Sequence, residues 1–289
     1  MYQEILAKTL VASISRPDPV FGLSYNLNLY RGCEHQCIYC DSRSECYGIE
    51  NFSDVLVKIN AIELLEQEMR RKRRKGTVGF GSMTDTYTRA ELTYELTRKA
   101  LDVLDRLGFP VHINTKSDLI LRDTAVLARI ARIHCTVAFS IITVDDALAR
   151  KLEPGAPPPS ARFAAMQALA DAGIQVGTNL MPVLPWLTDS PETIQVVMEQ
   201  TAAHGGSFII PWFGLSMRDR QREYFYRQLD RHFPGLRQQY ERRFGERYEC
   251  SVPNKTALNQ RFTRWIQELH LNVGVPIYTP PQQLTLFKS

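Results

Sequence analysis

The chain has 289 residues, 44% hydrophobic and 23% charged, the profile of a soluble globular protein with room for one large domain or two of ordinary size. Its 35 Lys plus Arg against 31 Asp plus Glu leave a net charge of +4, too mild to imply nucleic-acid binding by itself. No run of about 18 apolar residues offers a membrane span.

Residues 1–24 read as an N-terminal segment. The start, "MYQEILAKTL", lacks the basic, apolar and small-residue sections of a secretory signal, so a cytoplasmic location with reduced thiols is expected. The first strand candidate, "SYNLNLY" (24–30), runs into "RGCEHQCIYCD", where Cys33, Cys37 and Cys40 follow a C-x3-C-x2-C spacing and Cys46 stands six residues on. Ile59, Ile62, Leu65 and Met69 then share one helical face. That helix ends in "RRKRRK" (70–75), which can contact phosphates but also suits the negative end of a helix dipole.

Further strand candidates lie at 77–80, 111–114, 135–142, 174–181 and 208–213. Between them, helical faces run through Leu92, Leu96, Leu104 and Leu107, through Phe163, Met166 and Leu169, and through Ile194, Val197 and Thr201. Gly108 and Gly173 sit where helices end. The prolines of "EPGAPPPS" (153–160) exclude helix, and Ser160 is placed to cap the next one. Six strand-then-helix units predict a parallel sheet, either doubly wound or a barrel, whole or partial. In both architectures the working face lies at the C-terminal strand ends, where the cysteine loop falls. Beyond about residue 215 a basic, aromatic stretch, a helix bearing Leu258, Phe262, Trp265 and Leu269, and a Pro-rich end predict a C-terminal extension (216–289) packed on the main domain (25–215).

Four readings of the clustered cysteines compete. A disulfide network is disfavoured in the cytoplasm. Inert buried cysteines belong in apolar strands, as at Cys135, whereas this loop is polar. A non-catalytic binding protein with structural zinc can draw on Cys33, Cys37, Cys40 and Cys46, or His35, although zinc loops more often pair two C-x2-C units. Soft thiolates also suit a [4Fe–4S] cluster, with three cysteines leaving one iron open to a small molecule.

The C-x3-C-x2-C spacing, with aromatic Tyr39 before the last cysteine and the loop after the first strand, resembles the radical S-adenosylmethionine (radical SAM) superfamily. The resemblance spans roughly residues 25–215 and implies a partial (β/α)6 TIM-type barrel. Cys33, Cys37 and Cys40 would ligate three irons of a [4Fe–4S] cluster, and S-adenosylmethionine (AdoMet) would chelate the fourth. One electron from a donor such as a flavodoxin or ferredoxin would cleave AdoMet to a 5′-deoxyadenosyl radical that abstracts hydrogen from substrate. The same resemblance places Tyr39, Ser82, Thr84, Asp85, Lys116, Ser140 and Arg162 around AdoMet, with Lys116 and Arg162 facing its carboxylate. The family's usual Gly-Gly-Glu is absent from "GSMTD" (81–85).

"NLYRGCEHQCIYCDSRS", "GSMTDTYTRAE", "KLEPGAPPPSAR" and the terminal "PQQLTLF" are similar to the spore photoproduct lyase-like (DNA-repair-photolyase-like) branch. Spore photoproduct lyase returns hydrogen through a cysteine after the second strand; residues 77–88 hold none, so lyase activity does not carry over. The branch resemblance and the basic stretches 70–75 and 218–248 leave nucleic acid as one option for the substrate, beside a peptide or a metabolite. Cys46 reads as an ordinary residue, while Tyr87, Met181, Trp186 and Trp212 follow strand ends and are candidates for lining a substrate cavity.

Overall fold

The structure, a computed structural model, describes residues 2–16, 20–49, 51–52 and 54–280; the "PQQLTLF" stretch lies outside them. The chain opens with β1 (Tyr2–Ile5), β2 (Val11–Ser13), β3 (Tyr25–Leu27) and β4 (Tyr30–Arg31), and the cysteine loop follows. Next come β5 (Val55–Lys58), α1 (Ala61–Arg70), β6 (Val78–Phe80), α2 (Glu91–Tyr94), α3 (Leu96–Leu107) and β7 (Val111–Thr115). They are followed by α4 (Thr124–Ala131), β8 (Cys135–Ser140), α5 (Asp146–Leu152), α6 (Pro159–Asp171), β9 (Gln175–Leu180), α7 (Pro191–Ala203) and β10 (Phe208–Pro211). The remainder holds β11 (Gly214–Ser216), α8 (Asp219–His232), α9 (Leu236–Phe244), β12 (Glu249–Ser251), α10 (Lys255–Glu268) and β13 (Asn272–Val273).

β3, β6, β7, β8, β9 and β10 lie side by side in chain order, all parallel. A strand covered on both faces must be apolar or internally satisfied throughout, and every residue of β8 is buried. β2 borders one edge antiparallel to β3, and β13 extends the other parallel to β10. Among the described residues these two edges do not pair, so the sheet stays open, as a partial barrel. Leu65 and Met69 of α1, Leu104 of α3, Met166 and Leu169 of α6, and Ile194 and Val197 of α7 share one core with strand residues Val78, Ile113, Val137 and Val176. Each such side chain stabilises the fold by about 1.5–3 kcal/mol relative to exposure.

Three local expectations change. The helix expected through Leu92 to Leu107 is broken at Glu95, which takes a left-handed backbone (φ 51°), so α2 and α3 are separate. The break leaves Leu92 67% exposed, and it is fixed from below by the Glu91 carboxylate accepting the Thr97 N–H at 2.7 Å. Ile59 precedes α1 and is exposed. Ser160 is not a cap: Pro158 holds that position, Pro159 opens α6, and the Ser160 hydroxyl donates to Asp146 at 2.6 Å.

The C-terminal part is divided between two places. α10 packs on α7, and β13 completes the sheet edge. α8 and α9 instead build a second core with the cysteine loop, in which Ile38 and Tyr39 meet Phe225, Leu229 and Tyr240.

Candidate active site

The C-terminal ends of the parallel strands open into a cavity of about 270 Å³ lined by Cys33, Cys37 and Cys40. The loop can fold back on itself because Gln36 takes a left-handed backbone (φ 54°) while its side-chain amide donates to the Cys33 carbonyl at 2.8 Å. Gly32 (φ 83°) sits where a Cβ would strike the Asp54 carbonyl at 2.1 Å, so the loop entrance admits only glycine. On the far side Gly155 lets the 153–158 segment lie against the loop, since a Cβ there would meet the Glu34 carbonyl at 2.0 Å.

Each neighbouring strand contributes a residue to the cavity wall. Gly81 to Asp85 follow β6, Asn114 and Thr115 end β7 with Lys116 next after it, Ser140 ends β8, Asn179 lies in β9 and Met181 follows it. Trp212 follows β10. Three buried oxygens on this wall, Thr84 Oγ1, Asn114 Oδ1 and Asn179 Oδ1, have no hydrogen-bond partner in the protein. Buried polar atoms are normally paired, so three orphans on one wall mark a place for a polar ligand.

Beneath the wall lies a charged layer that ties the loop to the barrel. Asp85 accepts the Thr115 hydroxyl at 2.7 Å, the Lys116 N–H at 2.6 Å and the Tyr87 N–H at 2.9 Å, and pairs with His35 Nε2 at 3.0 Å. Burial pushes the Asp85 carboxyl up, but the His35 charge and these hydrogen bonds outweigh it and hold the group well below the usual carboxylate range. Glu153, fully buried, accepts the Tyr39 hydroxyl, pairs with Arg162 at 2.6 Å and faces Lys116 Nζ at 3.9 Å. Its carboxyl is likewise lowered, because Arg162 and Lys116 overcome the effect of burial.

Burial pushes the Cys37 thiol up to about 12, with Lys116 pulling against it and Glu153 adding to the rise. Burial also raises Cys33, helped by Asp85 and Cys37, and raises Cys40 against the Ser42 N–H. Thiols this buried exist as three thiolates only beside a cation that compensates them.

The cavity therefore gathers nine of the ten residues expected at the site: the three cysteines, Tyr39, Ser82, Thr84, Asp85, Lys116 and Ser140. Arg162 does not reach it. At 1% exposure its guanidinium is held by Glu153, the Ser140 carbonyl (2.8 Å) and the Pro157 carbonyl (2.8 Å), so it supports the wall instead of facing a ligand. Of the candidate lining aromatics and methionine, Met181 and Trp212 line the cavity, whereas Tyr87 is buried elsewhere and Trp186 packs on Tyr240 and Phe244. Cys46 is exposed and off the wall. Glu153, Asn114 and Asn179 escaped sequence reasoning, since nothing local distinguishes a polar strand end that faces a cavity from one that meets solvent.

The basic stretches also take definite places. The 70–75 run leads into the N-terminal end of β6, opposite the cavity, and Lys75 Nζ donates to the Leu107 carbonyl at 2.8 Å. Arg218 pairs with Asp41 at 2.7 Å, Arg220 donates to the Arg43 and Ile49 carbonyls, and Arg237 pairs with Asp230 and Glu241. These arginines staple α8 and α9 to the cysteine loop and to each other.

Residues 27–197, more than half of the chain, match the Radical SAM superfamily. The chain belongs to the radical SAM superfamily. An uncharacterised protein of Mycobacterium tuberculosis is 35% identical over 247 residues, covering 83% of this chain and 72% of that one. Another, of Methanocaldococcus jannaschii, is 28% identical over 256 residues, covering 88% of this chain and 87% of its own. Spore photoproduct lyase complexed with dinucleoside spore photoproduct shares the fold, with a TM-score of 0.70 at 15% identity over 94% of this chain and 81% of that one. A mutant of that lyase with bound AdoMet and the same dinucleoside gives 0.70 at 15% identity, over 96% and 82%. This radical SAM enzyme thus belongs to a superfamily whose cofactors are an iron–sulfur cluster and AdoMet. Among its described residues no helix is long and apolar enough to cross a membrane.

Proposed function

We propose that the protein holds a [4Fe–4S] cluster on Cys33, Cys37 and Cys40, binds AdoMet in the adjoining cavity, and abstracts hydrogen from a substrate admitted over the rim. The observation that carries this reading is the convergence of two buried thiols, a half-buried third and three unpartnered buried oxygens on one wall. The donor set suits a cluster: Cys33, Cys37 and Cys40 would supply three soft thiolates and leave one iron open to AdoMet. When bound and reduced by a one-electron carrier such as a flavodoxin or ferredoxin, the cluster and AdoMet supply a 5′-deoxyadenosyl radical.

The chain's own residues then bind, orient and exclude water. Lys116 is the wall cation suited to the AdoMet carboxylate, with Glu153 and Arg162 beneath it fixing its charge and direction. Ser140, Thr84, Asn114 and Asn179 supply hydrogen-bonding groups for the amino group and ribose. Asp85, saturated by four protein contacts, positions the wall instead of gripping the ligand. Met181, Pro182, Trp212 and Leu215 give the rim an apolar surface that keeps water from a reactive carbon centre. Nucleic acid remains a substrate class by likeness to the lyase fold alone; the 70–75 run lies at the opposite end of the sheet, and Arg218, Arg220, Arg222 and Arg237 are held by protein partners, so these residues lend it no support.

The test is anaerobic. Protein reconstituted with iron and sulfide is mixed with AdoMet and a strong reductant, and 5′-deoxyadenosine is followed by chromatography. Formation lost in Cys33→Ala and kept in Cys46→Ala supports the reading. Stoichiometric zinc, with no 5′-deoxyadenosine, would sink it.

A further inference from the structure

Behind the cysteines, on the side away from the cavity, lies a cation whose burial the loop's shape alone does not require. Arg43 is 9% exposed, with its guanidinium carbon 3.7 Å from the Tyr224 ring centre and 4.3 Å from that of Phe52. Its Nε donates to the Cys37 carbonyl at 3.3 Å and its Nη2 to Gln36 Oε1 at 2.7 Å. Its own carbonyl is held by Arg220 at 2.8 Å, so α8 locks it in place. Among the described residues no carboxylate pairs with it.

A buried charge without a counter-ion is costly, and arginine does not escape by losing its proton. The two rings offset part of the cost through their faces. The remainder points to the cysteine loop, which its Nε touches through the Cys37 carbonyl. Lys116 approaches the same loop from the cavity wall and Arg162 stands beneath it, but Glu153 already neutralises one charge of that pair.

We propose that Arg43 is the counter-charge of the cysteine loop: it offsets the three thiolates and favours the one-electron-reduced state of the cluster they hold. This rests on the cluster reading above. Reduction adds one electron, delivered by the low-potential carrier, and no proton or bond changes at Arg43. A fixed positive charge in a low-dielectric pocket stabilises the added negative charge by Coulomb attraction. Arg43 is thus a positioning and tuning residue, outside the contact surface with AdoMet or substrate.

The experiment compares anaerobically reconstituted wild type, Arg43→Gln and Arg43→Lys, measuring iron and sulfide per chain and then the midpoint potential without AdoMet. We expect Arg43→Gln to favour the reduced state about tenfold less, a one-electron shift of about 59 mV to more negative potential. Arg43→Lys, which keeps the charge, is expected to restore most of it. A loaded Arg43→Gln protein with the wild-type potential overturns the proposal, as does Arg43→Lys at the same low potential as Arg43→Gln. Should Arg43→Gln fail to load, Arg43→Lys decides. Loading with a near-wild-type potential supports the charge role, and failure of both makes Arg43 a packing residue and overturns it. A wild type that retains no iron and sulfide refutes the cluster reading itself, and the role of Arg43 with it.

Discussion

The two ends of the parallel sheet obey different rules. At the N-terminal end, helices α3 and α6 stop at Gly108 and Gly173 with left-handed backbones, and the basic 70–75 run meets solvent or local carbonyls. At the C-terminal end the protein buries Glu153, Arg162, Asp85 and Arg43, leaves three wall oxygens unpartnered, and holds Gln36 at positive φ. These features of the lower end are ones that folding alone explains. The upper end accepts costs that a folding-only sequence would avoid, and such costs collect where a ligand completes the structure.

The sharpest test of that contrast is chemical. Cys33→Ala, Cys37→Ala and Cys40→Ala should each abolish 5′-deoxyadenosine formation, while Cys46→Ala leaves it unchanged. Residual wild-type activity in any of the first three would break the contrast.

Next in size is Glu153→Gln, which strands Arg162 and Lys116 without their carboxylate. Breaking a buried pair costs about 3–5 kcal/mol, to be read by urea denaturation of the cofactor-free protein; a change under about 1 kcal/mol would show the layer to be dispensable. Asp85 and Glu153 are both held below the usual carboxylate range. Their contribution is therefore fully present above the unfolded-state value of about 4 and lost as pH falls through the lower folded values. Stability should be flat from pH 6 to 5 as far as these groups act, then fall below about pH 4, with a shallower fall in Glu153→Gln.

A smaller effect is expected at Lys116, whose charge faces the cavity. Lys116→Met should keep its iron and sulfide yet raise KM for AdoMet about 10-fold or more, the worth of one charge-assisted hydrogen bond. An unchanged KM would return Lys116 to a structural role. The smallest effect belongs to the other end: replacing Arg71, Arg73 and Arg74 by Gln should move stability by no more than about 0.5 kcal/mol per site and leave 5′-deoxyadenosine formation as it was. Loss of turnover on a nucleic-acid substrate in that variant would bring the lower face into function.

Much of this was legible in the residues. The strand candidates overlap β3, β6, β7, β8, β9 and β10 because doubly covered strands are written as apolar runs. The cysteine spacing located the loop after the first of them. Periodicity failed at Leu92, where α2 and α3 part at Glu95, because the break is held by Glu91 reaching Tyr30, Thr97 and Arg122 from three other elements. It failed also for Arg162, which looks like an anion binder until its partner Glu153 is seen nine residues earlier across a proline-rich loop. The small sheet of β1, β5 and β4 went unread, since β4 shares the 24–30 run with β3 and nothing local marks where the chain leaves one sheet for the other.

The sequence by itself determined the alternation of strand and helix, the three-cysteine loop and its place on the working face, because hydrophobic period and ligand spacing are local properties. Only the tertiary structure decided which charges face the cavity and which neutralise one another. Pairing depends on distances between residues far apart in the chain: Arg162 is turned inward by Glu153, Asp85 is saturated by His35 and β7, and Arg43 is pressed between Phe52 and Tyr224 behind the cysteines. In a low-dielectric interior those distances, more than residue type, set what each charge can do.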